Sequence, residues 1–202
     1  MRIMITMLYS SSLKARNTYG RGTRANVIDW KTGRIVECLS QGEKWTFICL
    51  RWDDCVIDIR EQFPMNSARV AQIAEGMDIP IPHNELSTDF LVQYSDGSFK
   101  AVSVKNSEKD LENKRIARRQ ALEKRYWESL GIPWVLIYKS RINRIRVDNI
   151  RICVRYYDPE SVCDPLSLIA HRIARKEIPV DIDCAILDFR SLAAQYMQGE
   201  TA

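Results

Sequence analysis

A glutamate, an aspartate and a lysine in this 202-residue chain have the types and spacing that phosphodiester hydrolysis requires: Glu43, Asp89 and Lys105. Asp89 lies near the start and Lys105 near the end of STDFLVQYSDGSFKAVSVKN (87–106), two apolar-rich runs around Ser95-Asp96-Gly97-Ser98. That pattern predicts a β-hairpin. The turn decides whether the two charges meet. A two-residue Asp-Gly loop pairs Ser95 with Ser98, sets Asp89 opposite Val104 and turns Ser103 and Lys105 to the other face. A three-residue loop with Gly97 at positive φ pairs Tyr94 with Ser98 and sets Asp89 opposite Ser103, with Lys105 diagonal to it. The second register also gathers Phe90, Val92, Val102 and Val104 on one face. Leu91, Ala101, Ser103, Asp89 and Lys105 take the other. We therefore expect the three-residue loop.

In that register a carboxylate and a lysine meet at the open end of the hairpin, where a helix-borne Glu43 can join them. Two carboxylates can hold one or two Mg²⁺ ions beside a scissile phosphate, and the Val104 carbonyl is a further hard oxygen ligand. The lysine would position a water and offset charge in the transition state. The rival reading of the same spacing is a surface ion pair at the ends of an ordinary hairpin.

Two glutamates sit where helical periodicity calls for apolar residues. Glu43 shares a face with Leu39, Phe47 and Leu50, and Glu123 shares one with Ile116, Trp127 and Leu130, near Gln120. Burying a carboxylate is costly unless it is paired or bound to a metal. Each has a structural alternative. Glu43 is three residues after Ser40 and would complete a capping box. Glu123 at the edge of its stripe would reach water or pair with Arg119.

The elements that must position these residues follow from pattern. A helix is expected over 39–53 and a strand over 55–65, ending at Pro64, with a short strand RIVE (34–37) after the turn Lys31-Thr32-Gly33. Residues 66–86 read as polar, proline-punctuated connection. DLENKRIARRQALEKRYWESLG (110–131) is the clearest helix, closed by Gly131 and Pro133, and WVLIYK (134–139) is a buried strand. This order predicts an α/β core with mixed strand directions. The arginines of 140–158 are either a phosphate-contacting stripe or the polar face of a strand-rich segment. Asp158-Pro159 marks a boundary, after which 165–176 and 181–198 read as two helices. That tail either packs on its own core or docks a partner. We thus expect one main domain over 1–158, with 1–37 as a basic arm carrying Lys14, Arg16, Arg21 and Arg24, and a small helical domain over 159–202.

A hydrophobic fraction of 46% allows a real core, and a net charge of +4 is weak evidence for a nucleic-acid partner. No apolar run reaches the roughly 20 residues that a membrane helix needs, and no signal peptide is read at the start. Six cysteines without a CxxC pair, and only His83 and His171, argue against zinc. We expect most cysteines to be reduced and buried, and the compartment to be the cytoplasm.

Taken in order, SQGEKWTFICLRWDDCVIDIREQFPM, TDFLVQYSDGSFKAVSVKNSEKDL, a long charged helix and GIPWVLIYK resemble the TnsA family, the endonuclease subunits of heteromeric Tns-type cut-and-paste transposases. The most characteristic stretch is VIDIREQFP (56–64), and the resemblance covers roughly residues 15–150. It implies a restriction endonuclease-like PD-(D/E)xK core and a small C-terminal part. It further implies that the subunit cuts the 5′ strands at transposon ends while a TnsB-type DDE transposase cuts the 3′ strands. A TnsC-type AAA+ regulator would link both to a target selector, in some elements an RNA-guided CRISPR complex. The resemblance assigns Glu43 as the helix glutamate, Asp89 as the central metal-binding aspartate and Lys105 as the motif lysine, with Mg²⁺ as cofactor and Mn²⁺ as its substitute. Ser103 departs from the glutamine or acid usual at its position, so a carbonyl, a water or Glu123 would complete the ligand set. Thr88 replaces the usual proline, a change we expect to be harmless. Two other classes compete: a stand-alone restriction or junction-resolving nuclease, and a nuclease-fold module that only binds DNA or a partner.

Overall fold

The computed structural model describes residues 25–199. The expected basic arm residues Lys14, Arg16, Arg21 and Arg24 lie outside them.

Strands β1 (Ala25–Ile28) and β2 (Ile35–Cys38) form a separate antiparallel ribbon, turned at Gly33 with φ 72°. Helix α1 (Gln41–Arg51) follows. It starts just after Ser40, the expected N-cap, which stays extended and accepts from the Glu43 N–H at 3.1 Å. Its C-terminal end is anchored by the buried Arg51, whose Nε bonds Asp29 at 2.8 Å and whose guanidinium also bonds the Val56 carbonyl at 3.0 Å. Then come β3 (Val56–Pro64), α2 (Ser67–Gly76), β4 (Ser87–Tyr94), β5 (Phe99–Lys105), α3 (Lys114–Glu128) and β6 (Trp134–Tyr138). The main sheet has the order β3-β4-β5-β6, antiparallel except for the parallel pair β5-β6. The mixed α/β core therefore stands as read from the pattern.

Apolar residues fill both faces of the sheet. Phe90, Val92, Val102 and Val104 join Phe47 and Ile48 of α1 on one side, while Leu91 and Ala101 join Leu122, Tyr126 and Trp127 of α3 on the other. The hairpin register is the three-residue one, with Phe90 opposite Val102 and Gln93 opposite Phe99. Gly97 takes φ 81°, and the Tyr94 N–H bonds the Ser98 carbonyl at 3.0 Å. A residue with Cβ is strained at such a φ, so glycine here fixes the turn and with it the register.

Four expectations differ from the structure. Helix α2 lies inside the stretch read as connection. Its apolar face buries little beyond Val70 and Ala74, too weak a stripe to register, and the Asn66 cap that starts it was missed. The basic segment after β6 is not strand-rich. It forms α4 (Arg144–Cys153), capped by Asn143, with Val147, Ile150 and Cys153 buried at helical spacing. In the tail, α5 (Pro165–Ala174) is as expected, but α6 runs Phe189–Gly199. The cap that starts it is Asp188, whose carboxylate accepts from the N–H groups of Arg190 and Ser191, and not a residue near 181. Finally, only Cys38 and Cys153 are buried among the free cysteines, and Cys55, Cys163 and Cys184 are exposed. Side chains of α5 and α6, including Ile169, Ile173 and Ala193, lie in the same apolar cluster as α1 and the sheet. No helix among the described residues is long and apolar enough to cross a membrane.

Candidate active site

The β4–β5 ladder stops at Phe90 opposite Val102. Beyond that rung the strands carry Asp89 and Lys105, and side chains replace backbone pairing. The Asp89 Oδ2 accepts from the Val104 N–H at 2.6 Å, and the Lys105 Nζ donates to the Val104 carbonyl at 2.8 Å. On the β4 side, where the ladder has ended, both backbone groups of Val104 thus hold the aspartate and the lysine, while Val104 still pairs with Ile137 of β6. Lys105 Nζ lies 4.0 Å from Asp89 Oδ2, and both side chains are part-exposed.

Glu43 reaches this end of the hairpin from the first turn of α1. That approach depends on Gly42. A Cβ there would stand 3.0 Å from Val104 Cγ1 and 3.2 Å from Lys139 Cβ, so the absence of a side chain lets the helix lie against β5. The capping box expected as the alternative for Glu43 is only half formed: Ser40 caps the Glu43 N–H, but the glutamate does not return to the Ser40 N–H. Its carboxylate accepts from the Leu39 N–H at 2.9 Å and the Ser40 hydroxyl at 2.8 Å. Cap and site are one arrangement, because the cap holds the carboxylate rigidly. Glu43 is 7% exposed. Burial first, and then the Asp89 charge, raise its pKa to about 7.

Gln62 was missed from the sequence. It is buried with φ 47°, and its Nε2 bonds Glu43 Oε2 at 3.2 Å and comes within 3.5 Å of Asp89 Oδ1. Its Oε1 accepts from the Ser87 hydroxyl at 3.1 Å. A non-glycine residue in this backbone region costs energy and marks a place the surrounding structure over-determines. The available signal was REQFP itself: a glutamine inside an otherwise regular strand.

Glu123 forms a second cluster just behind Asp89. It is 2% exposed, which removes the reading of an edge glutamate reaching water or Arg119. Its Oε1 accepts from the Thr88 hydroxyl at 2.8 Å and from the Ser103 hydroxyl, and Gln120 Nε2 lies 3.4 Å from its Oε2. Thr88 also accepts from the Trp127 indole at 2.6 Å, so the threonine in place of proline does structural work that the sequence reading missed. Burial and then the Asp89 charge push the Glu123 pKa up. Asp89 therefore sits electrostatically between two buried glutamates, with Lys105 the cation that lowers both their pKa values.

Among the described residues no three His, Cys, Asp or Glu side chains converge as a ready metal-binding group. The donors that do converge are carboxylates and a carbonyl, the hard oxygens that suit Mg²⁺. Burial first, and then repulsion from Asp89, raise the glutamate pKa values, and a bound cation would relieve both. The residues present fit such an ion.

A four-stranded mixed sheet with helices on both faces, carrying an acid and a lysine at the end of its central hairpin, is a restriction endonuclease-like fold. Residues 53–139 match the family described as TnsA-like endonuclease N terminal. The match includes Gln62, Asp89, Ser103, Lys105 and Glu123, while Glu43 lies ahead of it. The chain is also similar to the Transposon Tn7 transposition protein TnsA of Escherichia coli, 35% identical over 149 residues, which are 70% of this chain and 54% of that protein. The chain thus spans about half the length of this curated relative.

Proposed function

We propose that this chain is the DNA endonuclease subunit of a heteromeric transposase. It depends on Mg²⁺, with Mn²⁺ as a substitute, and cuts the 5′ strands at transposon ends. A TnsB-type DDE transposase would cut the 3′ strands, a TnsC-type AAA+ protein would regulate both, and the complex would act on double-stranded DNA in the cytoplasm. Residues 1–158 would serve as the nuclease part, and 159–202 as a helical part for contacts to a partner or DNA. The observation that carries the reading is the meeting of Asp89 and Lys105 across the end of the hairpin, with Glu43 locked beside them.

Asp89, the Val104 carbonyl and Glu43 would hold the ion. When bound, it would supply Lewis acidity to the scissile phosphate and lower the pKa of a water. The protein's own groups do the rest. The Val104 N–H fixes the orientation of the Asp89 carboxylate. Lys105 is tethered by the Val104 carbonyl, so its ammonium is pre-positioned to orient the attacking water and offset charge on the phosphate. Gln62 and the Ser40 cap keep Glu43 from swinging away. Ser103, at the motif position usually held by an acid or amide, donates to Glu123. The α3 glutamate then supplies, from behind, the negative charge that the strand lacks.

The test is strand-specific mapping of cuts at transposon ends, in Mg²⁺, with the cognate DDE transposase. Asp89→Ala and Lys105→Ala should each abolish the 5′-strand cuts and leave the 3′ cuts. Persistence of 5′ cuts in both variants, or their absence in the wild type, would sink the assignment.

A further inference from the structure

A second feature adjoins this site. Loop 79–86 and the first half of α3 enclose a cleft of about 640 Å³. Lys114, Arg115, Arg118 and Arg119 line its helical wall, and Glu85 is the acid in its lining. Leu86 and Leu122 are also in that lining, and both lead straight into the site. Leu86 is followed by Ser87, Thr88 and Asp89, and Leu122 by Glu123. At about 3.3 Å per strand residue, the cleft reaches within roughly 10 Å of Asp89.

All four cations are exposed, and among the described residues none forms an ion pair with an acid. Four of the five arginines of 140–158, the stripe that the sequence suggested for phosphate, behave differently, Arg155 being the exception. Arg141 is paired with Glu108, Arg144 and Arg151 with Asp148, and Arg146 with Asp183. Helix stability does not explain the α3 cations either. Lys114 and Arg115 open the helix, no acid stands in its first turn, and cations there oppose the helix dipole. The positive end of that dipole and the four side chains add to one electropositive wall, spaced one helical turn apart from Lys114 and Arg115 to Arg118 and Arg119.

We infer that this cleft is the track along which the phosphate backbone of duplex DNA enters the site, with α3 contacting phosphates on the flank of the scissile bond. The inference rests on the nuclease reading for its direction but not for its test. An acidic segment of a partner protein is the rival occupant. Duplex DNA is favoured because the wall runs directly to the residues that would act on a phosphodiester, and because the cations are spread along the helix axis as backbone charges are spread along a strand.

The experiment measures binding of the full chain, in EDTA so that nothing is cut, to a roughly 30-bp duplex of arbitrary sequence, long enough to span every phosphate contact, over a series of salt concentrations. The triple variant Arg115→Ala, Arg118→Ala, Arg119→Ala should bind at least about tenfold more weakly. Its log K against log salt should flatten by about 0.9 per lost phosphate contact, on any sequence. Because the three side chains are exposed, thermal unfolding should match the wild type, and the paired control Arg146→Ala should leave the salt slope unchanged. An unchanged slope in the triple variant, or no duplex binding by the wild type, overturns the inference, as does loss of transposase association with DNA binding intact. Cleavage by Asp89→Ala reads the other question. If that variant loses 5′ cuts while the triple variant keeps its salt slope, the track is wrong and the nuclease stands. If Asp89→Ala still cuts and the triple variant loses DNA, the reverse holds.

Discussion

Glu43→Gln separates the two roles of that glutamate by pH. Folding holds Glu43 at 7% exposure beside Asp89 and raises its pKa from 4.5 to about 7. An acid with a raised folded pKa binds more protons folded than unfolded. Its favourable contribution is therefore complete below pH 4.5, falls through the window from 4.5 to 7, and is gone above it. The full shift corresponds to about 3 kcal/mol. Lys105 faces the pair, and Glu123 adds a shift of the same sign through Asp89. In metal-free buffer, wild-type unfolding free energy should therefore decline from pH 5 to 8. A neutral glutamine should remove most of the Glu43 share of that decline, at the expense of about 1 kcal/mol for one lost hydrogen bond to Leu39, Ser40 or Gln62. The variant would be about 1 kcal/mol less stable near pH 4, nearly equal near pH 5 and about 2 kcal/mol more stable near pH 8. Urea titrations across that range read the difference directly. Added Mg²⁺ at pH 8 should stabilise the wild type by about 1.4 kcal/mol at ten times its Kd, and the variant by less. Parallel pH curves for the two proteins would refute the electrostatic argument. A variant with full 5′ cutting would leave Glu43 as a helix cap only.

Two further substitutions probe what holds the site. Gly42→Ala should reduce 5′-strand cutting more than stability. The added methyl meets Val104 and Lys139 at 3.0 and 3.2 Å and displaces Glu43, while alanine itself favours helix by about 1 kcal/mol; cutting at the wild-type rate would show that α1 can yield without harm. Thr88→Val should destabilise the protein by about 2–3 kcal/mol in equilibrium unfolding, because it removes a hydrogen bond to Glu123 and orphans the buried Trp127 indole. A change below about 0.5 kcal/mol would mean that water replaces the hydroxyl.

Much of the arrangement was legible because its signals are local. Asp-Gly in a short turn, with apolar residues sorted by a period of two, set the hairpin register, and that register brought Asp89 and Lys105 together before any tertiary contact was known. Ser40 and Glu43 declared the start of α1, and the apolar stripe of 110–131 declared α3. Helix α2 and the helical state of 144–153 were not legible. Their apolar faces are narrow, and asparagine caps with tertiary burial of Val70, Val147 and Ile150 decide them.

What the sequence determined by itself is the identity and spacing of the acids and the lysine, because strand alternation and turn chemistry act over a few residues. Only the tertiary structure decided how those groups are held. Gln62 reaches Glu43 and Asp89 by taking a backbone conformation that no local pattern announces. Thr88 and Ser103 meet Glu123 across 35 and 20 residues of chain. The two glutamates acquire raised pKa values only when packing strips their water and sets Asp89 beside them. Desolvation and through-space charge depend on neighbours distant in sequence, so they exist only once the chain has folded.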